Sequence, residues 1–235
     1  MSLKQTTMIV CGLLIITQFS CTKNANSSNP TIGTIKFSIR SISNGSLKKV
    51  SGAINTVTSV TSAQIVIEEI EFESSLGDSL NFQLEQPFVQ DLMVGSDFHE
   101  IQNIQIPFGT YKESEIEIGK LDSGDGDVYN QNPELQDKSR LIKGYLNGNP
   151  NETFVFSSDL EEEQEREFSK PLILGENSPS TNIVMTINMD IWFSDSNGNP
   201  MDPRLASNRS IIAENIKNSI DIFEDEDVQY KQEFV

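Results

Sequence analysis

Four oxygen-bearing side chains, Asp195, Asn197, Asn199 and Asp202, stand at relative positions 1, 3, 5 and 8 of one short stretch. Calcium takes about six to eight oxygen ligands, and calcium loops supply several of them from alternate residues of one tight turn. The match to the start of an EF-hand-like loop then breaks off. Position 12, where a bidentate Glu belongs, is Ala206, and Gly198 falls at position 4. With two carboxylates among the four, calcium would be held weakly, at about 10⁻⁴–10⁻³ M. The same residues also spell an ordinary turn around Asn197-Gly198, and both readings stand on sequence alone. Asp122, Asp125 and Asp127 form a second set of this kind, with a solvated acidic loop as its alternative. No other cofactor is implied.

The remaining chemistry is sparse. His99 is the only histidine, which excludes zinc sites built from several histidines. Nothing fixes two carboxylates at a catalytic spacing, so the chain reads as a non-enzyme. Asp159 to Glu167 packs six carboxylates into nine residues, the composition of a solvated face or a protected sheet edge. Trp192 is the lone tryptophan. Alternation places it opposite the Ile183–Phe193 row, where it is either a stacking platform for a sugar ring or buried beneath a C-terminal helix.

Net charge narrows the partners. The chain carries 17 basic and 35 acidic residues, a formal charge of −18. Such a surface repels nucleic acid, whose binding depends on Lys and Arg clusters. A glycan or another protein remains as a partner.

These residues need elements to position them, and alternation supplies most of those. Ile35, Phe37 and Ile39 mark a half-buried strand. Ile65 and Ile67 fall on one parity but Ile70 and Phe72 on the other, so the phase shift at Glu68-Glu69 predicts a β-bulge. Strands are expected at Phe88–Met93, Ile104–Phe108, Tyr111–Ile118 and Phe168–Leu174, with a long loop over Asp122–Lys138. Asn147-Gly148-Asn149-Pro150 joins Leu141–Leu146 to Thr153–Phe156 as a hairpin. Apolar residues at every second position from Ile183 to Phe193 predict one long strand, and Ile212, Ile216, Ile220 and Phe223 recur at helical spacing. The fold class is therefore mainly β, an antiparallel β-sandwich with one C-terminal helix.

The N-terminus carries a different signal. Lys4 precedes the apolar run Met8–Ile16, and Ser20 stands directly before Cys21. The run is too short to span a bilayer and has the length of a signal-peptide core. This segment resembles the signal of a Bacteroidota-type lipoprotein. The resemblance implies cleavage before Cys21, lipidation (palmitate) on Cys21, and anchoring in the cell envelope at the outer membrane. Removal of Lys4 would leave 16 basic against 35 acidic residues, a charge of −19. The expected organisation is a signal peptide over 1–20, a polar tether over 21–33 and a β-sandwich over 34–200. A loop, helix and acidic tail fill 201–235.

Two further segments, Ala63–Phe72 and Ile104–Tyr111 with Ile116-Glu117-Ile118, resemble an uncharacterised domain of bacterial lipoproteins. Its mark is a Pro-x-Gly-x-Tyr turn, here Pro107-Phe108-Gly109-Thr110-Tyr111. Tyr111 is expected to plug the end of the sandwich, with its hydroxyl on backbone. The resemblance implies no activity. The expected role is a lipid-anchored binding or structural module. The alternatives are a carbohydrate-binding lipoprotein of a glycan-uptake system and a fimbrillin-like filament subunit.

Overall fold

A computed structural model describes residues 31–42 and 57–224. The expected signal peptide, Cys21, an expected Asn44-Gly45 turn and the acidic tail beyond 224 lie outside the described residues. Eleven strands are described: β1 (Ile32–Ile42), β2 (Val57–Ser74), β3 (Phe82–Leu84), β4 (Phe88–Asp91), β5 (His99–Pro107), β6 (Gly109–Ile118), β7 (Arg140–Leu146), β8 (Thr153–Ser158), β9 (Glu162–Leu174), β10 (Ser180–Asn188) and β11 (Ile220–Glu224). Two helices accompany them, the short α1 (Asp127–Gln131) and α2 (Arg209–Asn218).

The strands form two packed sheets. One runs β11-β10-β1-β5, the other β8-β7-β2-β6-β9, with β3 and β4 added to β2. Alternation dictates what faces inward. Ile35, Phe37 and Ile39 of β1 and Ile183, Met185 and Ile187 of β10 meet Ile65, Ile67, Ile70 and Phe72 of β2 in one core. That parity change on β2 is the expected bulge: Ile67 pairs with Ile118 and Glu69 with Glu117, leaving Glu68 as the extra residue.

The mainly β sandwich with a C-terminal helix holds, and its details differ in three places. β1 and β10 run parallel, from Thr34 beside Ser180 to Ile42 beside Asn188, so the sandwich is not wholly antiparallel. β10 stops at Asn188, because the Asn188 side chain accepts from Asp190 N and starts a 3₁₀ turn over Met189–Ile191. Helix α2 stops at Asn218. Ile220 and Phe223 lie in β11, antiparallel to β10, so the sandwich extends past residue 200.

Helix α2 buries Ile212, Ala213 and Ile216. Its seat is polar as well as apolar. Arg140 of β7, fully buried, donates to Ala213 O at 3.2 Å, Leu160 O at 3.0 Å and the Glu162 carboxylate at 3.0 Å. Asn215 donates to three carbonyls of the preceding turn, Ile191 O, Trp192 O and Ser194 O. The Asp122–Lys138 excursion contains a 3₁₀ turn and α1, and Leu121 and Leu135 pack over Val66 and Leu141 on the outer side of the larger sheet.

Candidate functional site

The chemistry-bearing side chains gather on the outer face of the larger sheet. Each of three adjacent strands carries Glu-x-Glu-x-Glu: Glu69, Glu71 and Glu73 on β2, Glu113, Glu115 and Glu117 on β6, Glu163, Glu165 and Glu167 on β9. The register sets them side by side. Glu69, Glu117 and Glu163 form one rank, Glu71, Glu115 and Glu165 the next, Glu73, Glu113 and Glu167 the last. Neighbouring strands are about 4.8 Å apart, so nine carboxylates share one small area. The intervening residues Ile70, Phe72 and Ile116 are core, which fixes the glutamates outward.

Like charges directly opposite one another destabilise a sheet, and here they add to the effect of partial burial on the carboxyls. Partial burial, then the charges of Glu163, Glu71, Glu165 and Glu117, push the central Glu115 up to about 6. Burial first and neighbouring carboxylates second also raise Glu69, Glu113 and the bulge residue Glu68. Glu68 lies against Gly119 so closely that a Cβ there would collide with its carboxylate.

Compensation sits at the margins. Lys112 contacts Glu73 at 2.8 Å, and Glu71 accepts from Asn81 Nδ2 at 2.8 Å and Gln83 Nε2 at 2.9 Å. An open groove runs over Glu71, Glu113, Glu115 and Glu165 beside Asp78 and Asn81. Among the described residues no three His, Cys, Asp or Glu side chains converge as a metal-holding group. The array is an electrostatic surface, without a ligand cage.

The residues singled out from sequence fare differently. Asp195 accepts from Asn197 N, Asn199 N and Asn199 Nδ2 at 2.9, 2.8 and 2.9 Å, bonds that hold its carboxyl below the ordinary range. Asp202 is gripped by Arg204, with Nη2 to Oδ2 at 2.8 Å, which lowers it likewise. Of the four residues proposed for calcium, Asp195, Asn197, Asn199 and Asp202, the two carboxylates are thus bonded within the loop itself, as in the ordinary turn that the sequence also spells. Gly198 takes the positive φ of 77° that this turn requires. In the second set, Asp122 and Asp125 cap each other's backbone at the start of the 3₁₀ turn.

Trp192 is fully buried, its Nε1 donating to Ser219 Oγ at 2.8 Å just past α2. No ring face is open, so the stacking-platform reading is corrected in favour of burial. His99 is exposed at the start of β5. Tyr111 is buried and donates to Pro107 O at 2.8 Å, as the Pro-x-Gly-x-Tyr turn led one to expect. Gly109 serves this ring by proximity: a Cβ would stand 3.3 Å from it.

The glutamate array itself was the feature sequence reasoning missed. Its signal was the triple Glu-x-Glu-x-Glu, but only strand pairing aligns the three copies. No family model, no curated protein and no solved structure matches the chain.

Proposed function

We propose that the chain is a lipid-anchored module of the cell envelope, a β-sandwich that binds or scaffolds and catalyses nothing. The observation that carries this reading is the Met8–Cys21 segment, an apolar run closed by Ser20-Cys21 and followed at once by small polar residues. In this reading Cys21 carries the lipid, the outer membrane is the site, and the sandwich presents its surfaces to an envelope glycan or protein.

Neither alternative gains from the geometry. A sugar-stacking site needs an open aromatic face, which Trp192 lacks. A filament subunit needs a strand that leaves, and β1 is hydrogen-bonded to both β10 and β5, with Ile35, Phe37 and Ile39 buried. Metabolic labelling with a fatty acid, followed by fractionation, tests the anchor. The wild type is expected to take up label and follow membranes, and Cys21→Ser to lose both. An unlabelled wild type, or a mutant that still follows membranes, sinks the reading.

A further inference from the structure

Single exposed apolar residues are normal on a protein surface, whereas a group of them marks an interaction site. Four of the large exposed ones stand at one end of the sandwich: Ile32 at 52%, Leu76 at 75%, Leu80 at 54% and Ile173 at 65% exposure. This end comprises the start of β1, the turn after β2, the β5–β6 turn and the β9–β10 turn. Hydrogen bonds tie these pieces together. Phe108 N donates to Thr31 O at 2.8 Å, Ser75 N to Thr110 O at 2.8 Å, and Thr34 N to Pro179 O at 2.9 Å. Ile32 pairs with Pro107, and Thr110 with Ile173. Ile32 faces outward from the smaller sheet and Ile173 from the larger one, with Leu76 and Leu80 in the turn after β2, so the four ring this end of the sandwich.

The chain returns to Cys21 from this same rim. The ten residues from Cys21 to Thr31 span at most about 33–36 Å when fully extended. A lipid on Cys21 thus holds the attachment point of this end within that distance of the bilayer. We propose that the rim docks on the lipid surface, with Ile32, Leu76, Leu80 and Ile173 entering the boundary between headgroups and acyl chains. This rests on the anchor reading above. Insertion of apolar side chains to that depth is favourable when the polar backbone stays hydrated.

Charge selects the surface. Asp78 and Glu176 lie in the turns of this end, Lys112 is already paired with Glu73, and exposed Lys170 of β9 is a single cation near Ile173. Attraction to anionic lipids needs clustered Lys and Arg, so the fitting surface is a zwitterionic one. Docked this way, the strands rise from the membrane and the glutamate face points sideways.

The test holds the mature chain from Cys21 by its one thiol. All described residues lie beyond that point. Cys21 is coupled to a thiol-reactive lipid in phosphatidylcholine vesicles or, as control, to a hydrophilic polymer. Amide hydrogen exchange is read over residues 75–80, 173–179 and 153–157, the last around exposed Val155 on β8. The vesicle should slow exchange several-fold in the first two segments and leave 153–157 unchanged. Leu76→Ser with Ile173→Ser should abolish the difference while exchange in β1 stays as in the wild type. Equal exchange on vesicle and polymer overturns the docking, as does slowing that extends equally to 153–157. Slowing on phosphatidylglycerol but not on phosphatidylcholine overturns the choice of a zwitterionic surface. The coupling bypasses natural acylation, so fatty-acid labelling judges the anchor and exchange judges the docking.

Discussion

On the inner side of the larger sheet, one buried guanidinium, Arg140, meets a carboxylate, two carbonyls and the Ser139 hydroxyl. On the outer side of the same sheet, nine glutamates stand in ranks with one lysine contact, Lys112 to Glu73, at their margin. The contrast is one of solvent. A charge taken out of water needs every donor matched, whereas water screens a charge left at the surface and tolerates unmatched neighbours. The inner charge holds the helix to the sheet. The outer charges give the sheet a surface potential and, on edge strand β9, discourage pairing with another chain.

The largest effect should come from the inner side. Arg140→Ala leaves the Glu162 carboxylate and two carbonyls unmatched, and should cost about 3–5 kcal/mol in urea unfolding. Arg140→Met combined with Glu162→Met should recover most of that loss, because the pair goes together. A double variant as unstable as Arg140→Ala would break the comparison. A neutral group on the same inner side should matter less: Tyr111→Phe removes the bond to Pro107 O and should cost about 1 kcal/mol.

On the outer side the sign reverses. Glu115→Gln removes the central charge and should stabilise, by about 0.2–1 kcal/mol in view of solvent screening. Destabilisation by this change would mean that the array is held together by something other than the sheet.

The smallest and broadest effect is that of pH. Glu115 titrates at about 6 in the fold against an ordinary 4.5, so between those values the folded chain holds more protons than the unfolded one. Its contribution is fully present below about 4.5 and is lost as pH rises through about 6. Glu68, Glu69 and Glu113 shift the same way. The melting temperature should therefore rise from pH 7 to pH 5.5, and at pH 7 it should rise with added sodium chloride. A melting temperature that falls on either change contradicts the array's repulsion.

Much of the sandwich was legible from local pattern. The parity change at Glu68-Glu69 gave the bulge, and Asn147-Gly148, both at positive φ, gave the hairpin. The misreadings have a common cause. Met189, Ile191 and Phe193 continue the β10 alternation by residue type, yet Asn188 diverts the backbone into a turn. Ile220 and Phe223 extend the helical spacing, yet β10 offers an open edge and β11 takes it. The glutamate array was hidden for a further reason: each strand shows its own three residues, and alignment of the ranks belongs to pairing between segments distant in sequence.

The parallel pairing of β1 with β10 also sets the order of events in time. Arg40 of β1 donates to Thr186 of β10 across 146 residues of chain, and β1 is a central strand of its sheet. A strand made first must wait for one made near the end, and closing so long a loop precedes any gain from the contact. Sandwiches dominated by such pairings fold in about milliseconds to seconds. Until Ser180–Asn188 arrives, Ile35, Phe37 and Ile39 have no place in a finished core, so the newly made chain presents this strand unprotected.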